Sequence, residues 1–268
     1  MATKKRKKKK DNKVKKGNVV LDTSFQIERI KFPEDFERNL DNLLNDNKIY
    51  CSSYSLYEFK TSFIFSLIDF YFKVELHGPS KAFAIWSDKW GYDPKYGLLF
   101  SSVMCRENKI LSPGETKNYL DQVESSIIVC LEIFDNKITG ICGSFSSDFI
   151  TSFQINGRED FASFRDAYLS REIIPMLDFW SKKPNELLKL VESKEFEKKY
   201  PKLHGRLKKI NEDVSNSEKK RINHGVGDPI IAIDCPENSE LITTDKSFDI
   251  ICPVLGKEHQ KYEKVKLN

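Results

Sequence analysis

Two apolar runs at opposite ends of the chain each stop at a carboxylate. Near the start, Val19-Val20-Leu21 runs into Asp22-Thr23-Ser24, and near the end Leu241-Ile242-Thr243-Thr244 runs into Asp245. A third acid, Asp228, opens the apolar segment Pro229-Ile230-Ile231-Ala232. Short continuous apolar runs are the mark of parallel strands buried on both faces. Parallel sheets collect their strand ends at one edge, where ligands bind. Acids gathered at such an edge repel one another, and a divalent cation is the usual remedy.

The rest of the chain fits an α/β reading. Residues 18–22 read as a strand, 33–44 as a helix with Phe36, Leu40, Leu43 and Leu44 at helical spacing, and 49–53 as a second strand. Leu56, Phe59, Phe63, Leu67 and Phe70 then mark a long helix over 54–73. Strand alternating with helix is the opening of a parallel sheet. Residues 75–98 break the pattern with Gly and Pro among aromatics. Ser112-Pro113-Gly114-Glu115 has the form of a capping box with proline at the first helical position, opening a helix to about Phe134. A Gly- and Ser-rich patch follows at 140–147, then helical character over 159–180 and a charged, partly solvated helix or helical pair over 186–222. The α/β pattern resumes with a helix over 229–235 and strands over 240–244 and 250–254. The expected organisation is a basic disordered tail at 1–16, a core divided between 17–73 and 225–256, a mostly helical insertion at 74–224 that could supply core helices or strands, and a C-terminal tail at 257–268.

Composition narrows the class. Across 268 residues, 39% hydrophobic and 12% aromatic content is enough for a packed core. Residues 1–16 carry ten Lys/Arg and one acid, +9 in all, so with a chain total of +4 the remainder sums to −5. The basic character belongs to the tail, which suits attraction to phosphates, nuclear targeting, or solubility alone. Cys51, Cys105, Cys130, Cys142, Cys235 and Cys252 form no C-x-x-C pair and mostly lie in apolar runs, as buried free thiols do. Neither a signal peptide nor a membrane-spanning stretch is expected, which points to a reducing, cytoplasmic setting without a membrane partner. The scattered histidines His77, His204, His224 and His259 argue against a zinc site.

Taken singly, each acid has an ordinary structural use. Asp22 and Asp228 suit helix caps, Asp245 suits a turn before Ser247, and Glu58 suits the first part of the long helix. Placed on one parallel sheet, the four converge on a single crevice. Such a crevice suits Mg²⁺ or Mn²⁺, which stabilises charge on a phosphodiester during hydrolysis.

The order strand–Asp22-Thr23-Ser24, Glu58, Asp228-x-x-x-Ala232 and Thr243-Thr244-Asp245-x-x-Phe248 resembles the PIN domain family of metal-dependent nucleases. The resemblance is carried by residues before 74 and after 224, and most specifically by the 17-residue step from Asp228 to Asp245. It implies an α/β fold, a parallel sheet flanked by helices, here interrupted by the long insertion. It also implies an endoribonuclease acting on single-stranded RNA with Mg²⁺ or Mn²⁺ held by Asp22, Glu58, Asp228 and Asp245. Thr23, Thr244 and Asp249 would be auxiliary, and an inhibitory, antitoxin-like protein is an implied partner. A catalytically inactive PIN-like module that binds RNA or protein, and a DNA nuclease, are the alternatives. The 170-residue step from Glu58 to Asp228 is far longer than in compact members of that family. Within the insertion, Lys89 and Lys95 interleave with aromatics, as in single-strand binding, although a core-filling role for the rings is the simpler reading. Arg206 and Arg221 lie in the charged helices, where they could guide nucleic acid toward Asp228 or form a solvated face.

Overall fold

The computed structural model describes residues 17–32, 36, 38, 40–41, 47–90, 116–145, 155–170, 176–219 and 225–263. The expected tail at 1–16, the capping box at 112–115, and Leu43, Lys95, Tyr96, Cys105 and Arg221 lie outside these residues, as does the side chain of Lys89.

Five strands form an all-parallel sheet in the order β3-β2-β1-β4-β5. They are β1 (Gly17–Leu21), β2 (Asn47–Ser52), β3 (Gly140–Cys142), β4 (Ser239–Thr243) and β5 (Glu258–Lys261). β1 is central because its Val19, Val20 and Leu21 can bury both faces of the sheet. Alternation along it divides the layers. Val19 and Leu21 join Phe25, Phe36, Ile49 and Ile242 on one side. Val20 joins Leu241, Ile230, Phe248 and Trp180 on the other.

Around the sheet lie α1 (Thr23–Lys31), α2 (Ser53–Glu58), α3 (Phe65–His77), α4 (Pro79–Trp90), α5 (Thr116–Asp135), α6 (Asp160–Ser170), α7 (Met176–Ser181), α8 (Pro184–Glu192), α9 (Lys194–Lys199), α10 (Pro201–Glu212), α11 (Gly227–Asp234) and α12 (Phe248–Leu255). The long helix expected over 54–73 is continuous but changes winding. α2 passes through a π-helical turn, Phe59–Ile64, before α3. Within the turn, the hydroxyls of Thr61 and Ser62 donate to the carbonyls of Tyr57 (2.8 Å) and Glu58 (2.5 Å). The widened turn keeps Phe59 and Phe63 buried, with Phe59 stacked on Phe134 of α5 at 4.3 Å. Trp86 of α4 is buried and donates its indole N–H to the Ser66 carbonyl at 3.0 Å, so this ring serves the core.

Four expectations change. The run 250–254 is not a strand but part of α12, because Phe248, Ile251, Cys252 and Leu255 fall on one helical face and all are buried. Gly256, with φ of +71°, then ends the helix in the left-handed conformation. The Gly/Ser patch at 140–147 contains edge strand β3, and the segment 257–268 contains the other edge strand, β5. The charged stretch 186–222 is broken into α8, α9, α10 and a 3₁₀ turn at Val214–Glu218, with its lysines 198, 199 and 202 exposed. Cys51, Cys130, Cys235 and Cys252 are buried free thiols, and burial pushes Cys235 up to about 12. Among the described residues, no helix is long and apolar enough to cross a membrane.

Candidate active site

Strand register brings the first acid to the edge. Leu21 is level with Ile242 of β4 and Cys51 of β2, so the next residue, Asp22, stands beside Thr243 and Ser52. The Asp22 amide continues the ladder to the Ile242 carbonyl at 2.9 Å. Its side chain caps α1 by accepting from the Ser24 amide at 3.3 Å. The same oxygen, Oδ2, accepts from the hydroxyls of Ser24 and of Thr243, the latter at 2.8 Å. The capping role expected of Asp22 is therefore real, but it uses only part of the carboxylate's environment. Burial raises the Asp22 pKa against the lowering effect of Ser24 and Thr243, and Asp245 adds to the rise.

Thr243, wholly buried at the end of β4, joins Asp22 to Asp245. It donates to Asp22 while its hydroxyl oxygen accepts from the Asp245 amide at 2.9 Å. Ser247 joins Asp245 to Asp228. Its amide donates to Asp245 Oδ1 at 2.8 Å, and its hydroxyl donates to Asp228 Oδ2 at 2.6 Å. Asp245 thus forms the turn expected of it. Asp228 does not cap its helix. α11 begins one residue earlier, after Val226, and no side chain caps it. Asp228 is left in the first turn, half-buried, with its carboxyl turned to Ser247.

Burial first, then the carboxylates of Asp22, Asp245 and Glu58, drive the Asp228 pKa to about 8, against the lowering effect of Ser247. Asp228, at the start of α11, is therefore within electrostatic reach of the other three sequence-predicted acids, which come from the ends of β1 and β4 and from the junction of α2 with the π-turn. Burial also raises Tyr54 of α2 well above its usual range, with Glu58, Tyr57 and Asp228 adding to the effect. Its ring lies so close to Gly227 that a Cβ there would meet it at 2.8 Å. Gly227 is what allows α11 to bring Asp228 up to α2.

The auxiliary residues divide. Thr244 is held in the cluster by Ser24, which accepts from its amide at 3.2 Å and shares a hydrogen bond between hydroxyls at 3.0 Å. The Thr23 hydroxyl reaches instead to the Ser55 carbonyl at 3.5 Å. Asp249 is exposed on α12 and turned to β5, where it pairs with Lys261 and with His259 at 3.2 Å. Burial would raise its pKa, but those two partners hold it below the usual carboxylate range. Asp249 is not brought to the four acids. Arg206 of α10 packs against Gly225, where a Cβ would meet its Nη1 at 2.2 Å. Gly225 has φ of +91°, a conformation suited to glycine, so the insertion docks three residues before Asp228.

The donor set of carboxylates and hydroxyls suits a hard divalent cation. Among the described residues, no three His, Cys, Asp or Glu side chains are gathered tightly enough to hold a metal ion as placed. Hydroxyls stand between the acids, as Ser247 does between Asp228 and Asp245. Ser24, Thr243 and Ser247, adjacent to the predicted acids in sequence, are the residues whose roles sequence reasoning missed. Their proximity was readable, but their partners more than 200 residues away in the case of Ser24 and Thr243 were not.

No protein-family profile matches the chain, and no curated protein or solved structure gives a significant match to it.

Proposed function

We propose that the protein is a metal-dependent nuclease of PIN-like design, an endoribonuclease on single-stranded RNA. The observation that carries this reading is the hydrogen-bonded chain from Asp22 through Thr243, Asp245 and Ser247 to Asp228, at one edge of a parallel sheet, with Glu58 also within electrostatic reach of Asp228. A carboxyl raised to about 8 by burial and then by its acidic neighbours is a site whose charge a Mg²⁺ or Mn²⁺ ion would balance. When bound there, the cation supplies Lewis-acid stabilisation of the negative charge that develops on a phosphodiester. Asp22 and Asp228 would hold it most directly, with Asp245 and Glu58 completing the anionic wall. Ser24, Thr243 and Ser247 fix the carboxylates' orientation by donating to them or to their turns.

The test is incubation of the purified chain with labelled single-stranded RNA, and with DNA in parallel, in Mn²⁺ or EDTA. RNA cleavage in Mn²⁺ that EDTA abolishes is the expected result. Asp22→Asn should lower it by at least about 100-fold, since ligand losses exceed the effects of outer-shell changes. Cleavage undiminished by EDTA, or retained in Asp22→Asn, would overturn the reading. Cleavage of DNA alone would reassign the substrate.

A further inference from the structure

The acids that would hold a cation also repel the polyanion which that cation would serve. Asp22, Asp245 and Asp228 are joined through Thr243 and Ser247 into one ridge of carboxylates. A phosphate chain beside that ridge needs fixed positive charge close to it.

Two cations from different elements meet this need. The first is Lys246, the residue between Asp245 and Ser247. It is exposed, while Asp245 is half-buried and Ser247 is buried. The Ser247 amide donates to Asp245 Oδ1 at 2.8 Å, and its hydroxyl donates to Asp228 Oδ2 at 2.6 Å. The turn that carries Lys246 is therefore tied to both acids. The Lys246 carbonyl accepts from the Asp249 amide at 3.2 Å, at the start of α12. A cation at that end of a helix opposes the helix dipole, so α12 gains nothing from it. Asp249, one turn on, is paired with Lys261 and His259 instead.

The second cation is Arg206 of α10, half-buried on the insertion. Leu207 and Ile210 of the same helix share a core with Val226 and Ile230, which ties α10 to the entry of α11. The guanidinium lies against the Gly225 backbone, where a Cβ would meet Nη1 at 2.2 Å and Cζ at 3.5 Å. That contact holds the charge three residues before Asp228. Among the described residues, neither Lys246 nor Arg206 has an ion-pair partner. A guanidinium held in place, with its remaining N–H groups unclaimed by an acid, suits a phosphate.

We infer that Lys246 and Arg206 are substrate-positioning residues, a two-point clamp on the phosphates of single-stranded RNA beside the Asp228–Asp245 pair. The inference rests on the nuclease reading for the identity of the substrate. It gives the insertion, through Arg206, a part in a site whose acids all come from the segments around it.

The test uses the full chain and its Lys246→Gln, Arg206→Gln and Arg206→Lys variants, with a fluorescein-labelled single-stranded RNA. Lys117→Gln, an exposed change on α5, is the control. Binding is read by anisotropy in Ca²⁺ over a range of salt, and cleavage by kcat and KM in Mn²⁺. Lys246→Gln and Arg206→Gln should each raise Kd and KM about fivefold at about 0.1 M salt. Each should also flatten the slope of log Kd against log salt by about 0.7, the share of one phosphate contact on a single strand. Arg206→Lys keeps the charge and should keep the slope. Tm should stay within about 2 °C in all variants, and kcat within about threefold. An unchanged Kd and slope in either glutamine variant, or an equal loss in Lys117→Gln, would overturn the inference and leave the nuclease reading standing. A wild-type chain that binds RNA, weakens as stated in both variants and never cleaves would support the inference and overturn the nuclease reading. A wild-type chain that neither binds nor cleaves RNA would overturn both.

Discussion

Asp228→Asn is expected to abolish Mn²⁺-dependent cleavage while making the metal-free protein more stable at alkaline pH. The two effects have one cause. In the folded chain Asp228 holds its proton to about pH 8, because burial and the Asp22, Asp245 and Glu58 carboxylates oppose its charge. In the unfolded chain it ionises near the ordinary value of 3.8. Its folded-state pKa is raised, so the unfolded state loses the proton first as pH rises. Its contribution is therefore most favourable below about pH 4 and declines until about pH 8, where the folded form ionises too. An amide at this position keeps the volume and the hydrogen bond from Ser247 without that decline. Allowing for the partial exposure of the side chain, the gain at pH 8.5 in EDTA should be about 2 kcal/mol, or roughly 5 °C in Tm. At pH 4 it should vanish. Urea denaturation at the two pH values checks this. A variant that is less stable than wild type at both would mean that the carboxyl is not under the strain of its neighbours.

Asp22→Ala is expected to be the costlier change at the other acid, because Asp22 serves the fold as well as the site. Its Oδ2 satisfies the Ser24 amide, the Ser24 hydroxyl and the Thr243 hydroxyl, all close to a strand end that is fully buried. Alanine removes a helix cap, worth about 1 kcal/mol, and leaves buried hydroxyls unpaired, at about 1–3 kcal/mol more. The sum is about 2–4 kcal/mol, measurable by urea denaturation at neutral pH. Asp22→Asn keeps an acceptor and the cap and removes a charge that burial and Asp245 disfavour, so it should cost well under about 1 kcal/mol while losing as much activity as alanine does. Equal losses of stability in the two variants would contradict the hydrogen-bond arrangement around Oδ2.

The central half of the fold was readable because burial on two faces leaves a plain signature. Val19-Val20-Leu21 and Leu241-Ile242 could hardly be anything but interior strands, and the structure puts them side by side. The edge strands leave no such mark. β3 is three residues long, and β5 is the polar Glu258-His259-Gln260-Lys261, paired on one side only. Ile250 to Val254 was ambiguous because a short apolar run suits a strand and a buried helix alike. The packing of α12 on β5 and α8 decides for the helix. Asp22 and Asp245 were legible from their positions after apolar runs, and Asp228 from the apolar run that it opens.

The central claim, that these acids form one cation site, is tested most directly by calorimetric titration of Mn²⁺ into wild-type and Asp228→Asn protein at pH 7, repeated in two buffers of different ionisation heat. If Asp228 is the protonated member of the site, wild-type protein should bind Mn²⁺ and release about one proton per ion, and Asp228→Asn should show weaker binding with no proton release. Mn²⁺ binding of equal strength in both proteins, or no binding in wild type, would contradict the account.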